Sequence, residues 1–286
     1  MRLSIAARVL LLLAGFALAP CIHAQAPKAQ PIDRVYVFGD SYSDIGEGYL
    51  DSNGPTAVAY FADKLGTRLY PSNIADPAGK SLDFAISGAQ TGNGAGRHIG
   101  KFLLGYGMQR QVDDFAAMVK AKKITFDPHR TLFYLAGGLN DHSLATQTTI
   151  DNLEGEIKTL YALGARRFEV AVLPTAISGF AEVAIRLNPS LERIPSEISP
   201  QLAGSEILVS HWGLYFDEVM QNPGRYGITN TTDRCAGREI RNEDTTPCAN
   251  PGTYYFYHAE HPSTATHRAV GEMLFTEFTG KAPEHK

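Results

Sequence analysis

The chain has 286 residues, 44% of them hydrophobic and 10% aromatic, and a formal net charge of −4. That length is ample for a sizeable core and suits one large domain in which strands and helices alternate. The mildly acidic balance excludes the basic footprint of a nucleic-acid-binding protein and implies no more than solubility.

Taken in chain order, the first residues read as an export signal. Arg2 and Arg8 precede a short apolar run from Val9 to Leu18, and Ile22-His23-Ala24 places a small residue before a cleavage point. The run is shorter than the roughly 20 residues a membrane span needs. Residues 1–24 are therefore expected to be a signal peptide, and residues 25–286 a single domain released to the periplasm or outside the cell. Cys21 would leave with the signal, and Pro20 beside it disfavours a lipoprotein. No later stretch is long and apolar enough to span a bilayer.

Val35–Phe38 reads as a strand, and Thr56–Leu65 as a helix closed by Gly66. Leu82–Ile86 is a short extended segment ending in Ser87-Gly88-Ala89. The glycine-rich stretch from Gly92 to Gly107 reads as a surface loop. Val112–Val119 has helical spacing, and Thr131–Ala136 is an apolar, β-prone run that ends at Gly137-Gly138. Thr148–Leu163 is an amphipathic helix, and Phe168–Leu173 a buried strand stopped by Pro174. Ser178–Pro200 reads as irregular or loosely helical, Ser205–Met220 as one long helix, and Thr264–Phe278 as a terminal helix. Short buried strands alternating with crossover helices predict an α/β fold with a parallel sheet covered on both faces.

Cys235 and Cys248 flank a polar segment, and in an oxidising compartment they are expected to form a disulfide.

Four positions stand at the ends of elements. Ser41 follows the first strand in Gly39-Asp40-Ser41-Tyr42-Ser43-Asp44. Gly88 follows the second extended segment, Asn140 follows the Thr131–Ala136 strand, and His261 precedes the last helix. In a parallel sheet the three strand ends share one edge, where ligands gather in open α/β folds. A serine hydroxyl needs a base to take its proton as it attacks a carbonyl. The oxyanion that forms needs aimed donors, and a glycine N–H and an asparagine amide are suitable. Asp40 and Asp44 are expected to organise the serine loop by accepting backbone N–H bonds. His142, His211 and His267 are assigned to surface or helix positions. His258, His261 and His267 match no zinc spacing, so no metal is expected. The glycine-rich stretch lacks a phosphate-binding fingerprint, and Gly-x-Ser-x-Gly is absent.

Gly39-Asp40-Ser41-Tyr42-Ser43-Asp44, Phe84 to Ala89, Gly138-Leu139-Asn140-Asp141 and His261-Pro262-Ser263 together resemble the four sequence blocks of the GDSL, or SGNH, hydrolases, in order and over nearly the whole mature chain. Gly164 to Arg167 leading into Val170–Pro174, and Asn222-Pro223 through Tyr226–Asn230 to Cys235, resemble the exported bacterial lipase and esterase branch. The resemblance implies a flavodoxin-like three-layer α/β/α fold and a Ser41 nucleophile with His261 as its base. It also implies an oxyanion hole made by the Ser41 N–H, the Gly88 N–H and the Asn140 side chain. The implied reaction is hydrolysis of small-molecule or lipid esters, with a membrane surface as one source of substrate and no cofactor. A sugar O-deacetylase, a phospholipase-type acyltransferase and a binding protein on a disabled hydrolase scaffold are the alternatives.

The chain departs from the family at one point. Three residues before His261, where the family carries an aspartate, stands His258. The expectation is a Ser41–His261 pair steered by His258 or by a backbone carbonyl, with a carboxylate from elsewhere, such as Glu260, in competition. A protonated His258 could no longer accept a bond from His261, so a steep acid loss of activity is expected.

Overall fold

The computed structural model describes residues 31–281; the segment 1–24 and Cys21 lie outside the described residues. Strand β1 (Arg34–Gly39) is buried on both faces from Val35 onward, as its unbroken apolar run requires. It is followed by α1 (Ala57–Lys64) and the short strands β2 (Leu69–Pro71) and β3 (Ser81–Asp83). The chain then forms β4 (Ala95–Ile99), β5 (Phe102–Tyr106), α2 (Met108–Lys120), β6 (Thr131–Ala136), α3 (Thr146–Ala162) and β7 (Arg167–Ala171). The last third comprises α4 (Ser178–Leu191), α5 (Ile194–Ile198), β8 (Glu206–Ser210), α6 (Trp212–Gln221), β9 (Asn230–Arg234), β10 (Tyr254–His258), β11 (His261–Pro262) and α7 (Thr264–Thr279).

Six parallel strands make the central sheet, in the order β2-β3-β1-β6-β7-β8. Apart from the edge strand β2, this is the 2-1-3-4-5 order of doubly wound folds. Side chains alternate across the sheet, so neighbouring Phe133 and Tyr134 of β6 enter opposite layers. Phe115 of α2 packs against Phe133 with ring centroids 5.4 Å apart, and Phe61 of α1 lies 6.1 Å from Tyr134. Helix α3 packs beside α2, while α7 packs beside α1 and α6. The result is the expected three-layer α/β/α arrangement. The winding reverses at β1, and ligands bind in the crevice beyond the strand ends at such a switch point. Ser41 follows β1, Gly88 follows its neighbour β3, and Asn140 follows its other neighbour β6.

The structure differs from the sequence reading in three places. The glycine-rich stretch is not a loop: β4 and β5 form an antiparallel hairpin, turned at Gly100 with φ of 57°. Ser178–Pro200 is ordered into α4 and α5, because Phe180, Val183, Ala184, Leu187 and Leu191 recur at helical spacing and bury one face. That face outweighs Pro189, which falls in the last turn of α4. Ser205–Met220 is not one helix. Glu206–Ser210 pairs with β7 as an edge strand, and the helix begins only at Trp212. His267 lies in helix α7, one of the two places expected for it, with its ring buried, whereas His142 and His211 are exposed. Its Nδ1 accepts the Ala57 N–H at 3.1 Å and so caps the first turn of α1. Burial holds His267 far below the ordinary imidazole range, at about 3, in keeping with a neutral acceptor.

A disulfide joins Cys235 and Cys248. The loop between them is fastened to β10 through Ala236 N–H, which donates to Tyr257 O at 2.8 Å. No helix among the described residues is long and apolar enough to cross a membrane.

Candidate active site

The loop after β1 is shaped by buried carboxylates. Asp44 accepts backbone N–H bonds from Gly46, Gly48, Tyr49 and Ser87 at 2.8–3.2 Å, tying the Ser41 loop to the Gly88 loop. Asp40 accepts from Tyr42 N–H at 3.1 Å. Both act as the sequence suggested. Burial pushes the Asp40 carboxyl up to about 7, against the Tyr42 N–H bond and with nearby Asp141 adding to the rise. Asp141 plays the same part under Asn140, accepting from the N–H and hydroxyl of Thr91 and from the Thr149 hydroxyl.

Ser41 and His261 are 220 residues apart in sequence, yet Ser41 Oγ lies 2.9 Å from His261 Nε2. The other ring nitrogen, Nδ1, lies 2.8 Å from the Ala259 carbonyl. A carbonyl oxygen only accepts, so Nδ1 carries the proton and Nε2 presents its lone pair to the serine hydroxyl. This is the tautomer a general base needs. The geometry comes from a two-residue reversal, Ala259-Glu260, that pairs His258 of β10 with His261 of β11. Glu260 adopts a left-handed φ of 59°, a strain on the order of 1–2 kcal/mol for a residue with a Cβ. Tyr42 Oη donates to the Glu260 carbonyl at 2.5 Å and holds the turn against the nucleophile loop.

His258 makes no direct hydrogen bond to His261 among the described residues. Its Nδ1 lies 3.1 Å from Asp51 Oδ1. Glu260 is not the missing carboxylate either: its oxygens lie over Gly179 in the first turn of α4, where a Cβ would fall 2.2 Å from them. The negative charge comes from Asp51, 1% exposed, in the loop between β1 and α1. Its Oδ2 is 3.6 Å from His261 Nε2 and accepts from Arg238 Nη2 at 2.5 Å and Ser87 Oγ at 2.9 Å. Burial pushes the Asp51 carboxyl up, but His261, His258, Arg238 and Ser87 together outweigh it and hold the group below the usual carboxylate range. Burial likewise lowers His261, while Asp51 works in the opposite direction. Sequence reasoning missed Asp51 because no motif surrounds it. The available signal was indirect: a histidine in the family's aspartate position leaves a buried imidazolium without a counter-charge.

The expected oxyanion donors converge on the same mouth. Gly88, at φ 78°, presents its backbone where a side-chain-bearing residue would be strained. Asn140 Nδ2 donates one hydrogen to the Ala89 carbonyl at 2.9 Å, leaving its second hydrogen for a ligand. The Ser41 and Gly88 N–H groups have no partner among the described residues. Ser41, Gly88, Asn140 and His261 line one cavity of about 470 Å³, a volume suited to a small organic ligand. Its far walls are the β4–β5 hairpin and the disulfide-bounded loop, which contribute Leu104 and Ile240. Gly105 N–H donates to the Ser87 carbonyl at 2.8 Å and docks the hairpin directly beside the Gly88 turn.

A sequence profile of the GDSL-like Lipase/Acylhydrolase family matches residues 35–274. One GDSL esterase/lipase of Arabidopsis thaliana is 28% identical over 155 residues, covering 46% of this chain and 43% of the relative. The chain thus matches less than half the length of that relative. A second, GDSL esterase/lipase 7 of the same plant, is 22% identical over 334 residues, covering 89% of this chain and 91% of the relative. Among solved structures, a member of the lipolytic protein G-D-S-L family from Veillonella parvula is 12% identical with a TM-score of 0.49, covering 87% of this chain and 98% of that one.

Proposed function

The chain belongs to the GDSL-like lipase/acylhydrolase family, and on that premise we propose that it is an exported carboxylic-ester hydrolase with Ser41 as nucleophile and His261 as base. The observation that carries this reading is the 2.9 Å contact between Ser41 Oγ and an imidazole nitrogen left unprotonated by its neighbour's bond to a carbonyl.

In the first half-reaction Ser41 Oγ attacks the ester carbonyl carbon as its proton passes to His261 Nε2. The carbonyl oxygen becomes an oxyanion, taken up by the Ser41 N–H, the Gly88 N–H and the free hydrogen of Asn140 Nδ2. The imidazolium is then 3.6 Å from the Asp51 carboxylate, which supplies the negative charge that Ala259 O lacks. Collapse of the intermediate breaks the bond to the alcohol oxygen, which takes the proton from Nε2 and leaves. In the second half-reaction water gives its proton to Nε2 and adds to the acyl carbon. Release of the acid returns the proton to Ser41. Asp51 is thus a positioning and charge-balancing residue acting through His261, and the Ala259 carbonyl sets the tautomer.

Export is part of the same reading. It is supported by the charged and apolar pattern of residues 1–24 and by the Cys235–Cys248 bond, which persists in oxidising compartments. A fluorophosphonate probe tests the chemistry. We expect one equivalent of label on Ser41, lost in Ser41→Ala and strongly slowed in His261→Ala. A folded native protein that takes up no label would overturn the assignment and favour a binding protein on a disabled scaffold. A panel of p-nitrophenyl esters of rising acyl length, with acetylated sugars and lysophospholipids alongside, separates the carboxylesterase from the deacetylase and phospholipase readings. Turnover confined to acetyl-sugars or to phospholipids would replace the carboxylesterase assignment.

A further inference from the structure

Resting on the hydrolase reading, we infer that the ester taken by this cavity carries an anionic group, a carboxylate or a phosphate, received by Arg97 and Arg241. The chain as a whole is acidic, at −4, yet three of the cavity's charged lining residues are arginines. Arg238 is not free to receive a ligand anion, because its Nη2 is bonded to buried Asp51. Arg97 on β4 and Arg241 at the end of the disulfide-bounded segment are different. Both are exposed, and neither guanidinium forms a hydrogen bond or ion pair among the described residues.

The acids that would neutralise them are engaged elsewhere. Glu239 pairs with Lys101 at 3.9 Å. Glu243 lies close enough to feel Arg241, but its carboxylate binds Arg234 Nη1 at 2.8 Å and the Arg238 N–H at 2.9 Å. The sole carboxylate in the cavity wall, Glu260, lies over Gly179. Two unspent guanidinium groups, one on the hairpin and one on the disulfide-bounded loop, therefore line the cavity that holds Ser41, and a guanidinium matches carboxylate and phosphate oxygens in a two-pronged fashion. Phe180 and Ile240 line the same cavity. The arrangement suits a substrate with a short apolar portion near the serine and a charge at the mouth.

The test compares matched esters. The mono-p-nitrophenyl ester of glutaric acid against p-nitrophenyl pentanoate places the charge on the acyl side. 1-Butyrylglycerol 3-phosphate against 1-butyrylglycerol places it on the alcohol side. For the favoured pair we expect the anionic member to have the higher kcat/KM, by about tenfold at low ionic strength. The advantage should shrink in 0.5 M salt, fall to near unity in Arg97→Ala/Arg241→Ala, and invert in Arg97→Glu/Arg241→Glu. Which pair responds identifies the side that bears the charge. An anionic-to-neutral ratio that is the same in wild type and both double variants overturns the inference while leaving ester hydrolysis intact. The binding step is also read without turnover, by titrating butyl phosphate into Ser41→Ala protein. Salt-sensitive binding that weakens in the double variant supports the arginine site, and no binding overturns it. That result does not depend on whether Ser41 is the nucleophile.

Discussion

Ser41, Gly88 and Asn140 hang from three adjacent parallel strands, whereas Arg97 and Arg241 stand on a hairpin and a stapled loop outside the sheet. The two regions are held by different means. Beneath the strand ends, Asp44 and Asp141 are buried and each spent on several donors, Asp44 on four backbone N–H groups. Unmaking such bonds leaves buried polar groups unpaired and is costly. The loop wall is closed on itself by the Cys235–Cys248 bond, and it meets the hairpin through an exposed Lys101–Glu239 pair, of a kind worth about 0–1 kcal/mol. The contrast teaches that the proposed reacting groups rest on the core, while the outer cavity walls lie on segments added outside it.

Perturbing the two regions should therefore give different signatures. The largest effect is expected from Ser41→Ala, a loss of about 10⁴-fold or more in kcat/KM with an unchanged melting temperature, measured on a short p-nitrophenyl ester. Asn140→Ala should lower kcat by about 10²–10³-fold, because one oxyanion donor disappears. A fall confined to KM would remove Asn140 from that role.

Asp51→Asn should cost about 10²-fold in kcat/KM as the imidazolium loses its counter-charge, and its pH profile is the sharper reading. Catalysis needs neutral His261. Burial lowers its pKa and Asp51 raises it. The acid limb is thus expected below the ordinary value of about 6.5, and removing the charge should move it lower still. A limb that stays put would show that Asp51 does not act on His261.

Replacing Cys235 and Cys248 by serine should cost about 3 kcal/mol of stability on the loop-entropy account and raise KM several-fold with kcat nearly preserved. A collapse of kcat would break the separation between the strand-end site and the outer walls. The smallest change, a few-fold, is expected from His258→Ala, since Asp51 keeps Arg238 and Ser87. The steep acid loss expected from a protonated His258 does not follow from this geometry, because its Nδ1 faces the Asp51 carboxylate rather than His261.

What the chain disclosed in one dimension was whatever depends on neighbours in sequence. The apolar run Val35–Phe38 demanded a strand buried on both faces, the Thr131–Ala136 run demanded another, and Gly39-Asp40-Ser41 placed a hydroxyl at a strand end. Short-range periodicity failed where two periods competed. Glu206–Ser210 became a strand because β7 offered an open edge, and 95–106 became a hairpin because its glycines accept turns that other residues resist. The proposed nucleophile, base and oxyanion donors were legible as motifs. The group proposed to balance the base was not, since Asp51 reaches both rings only when the Ala259-Glu260 reversal places His258 and His261 beside it. Electrostatic complementarity is a property of distances in space, and a carboxylate 210 residues from its histidine in sequence becomes its counter-ion through folding alone.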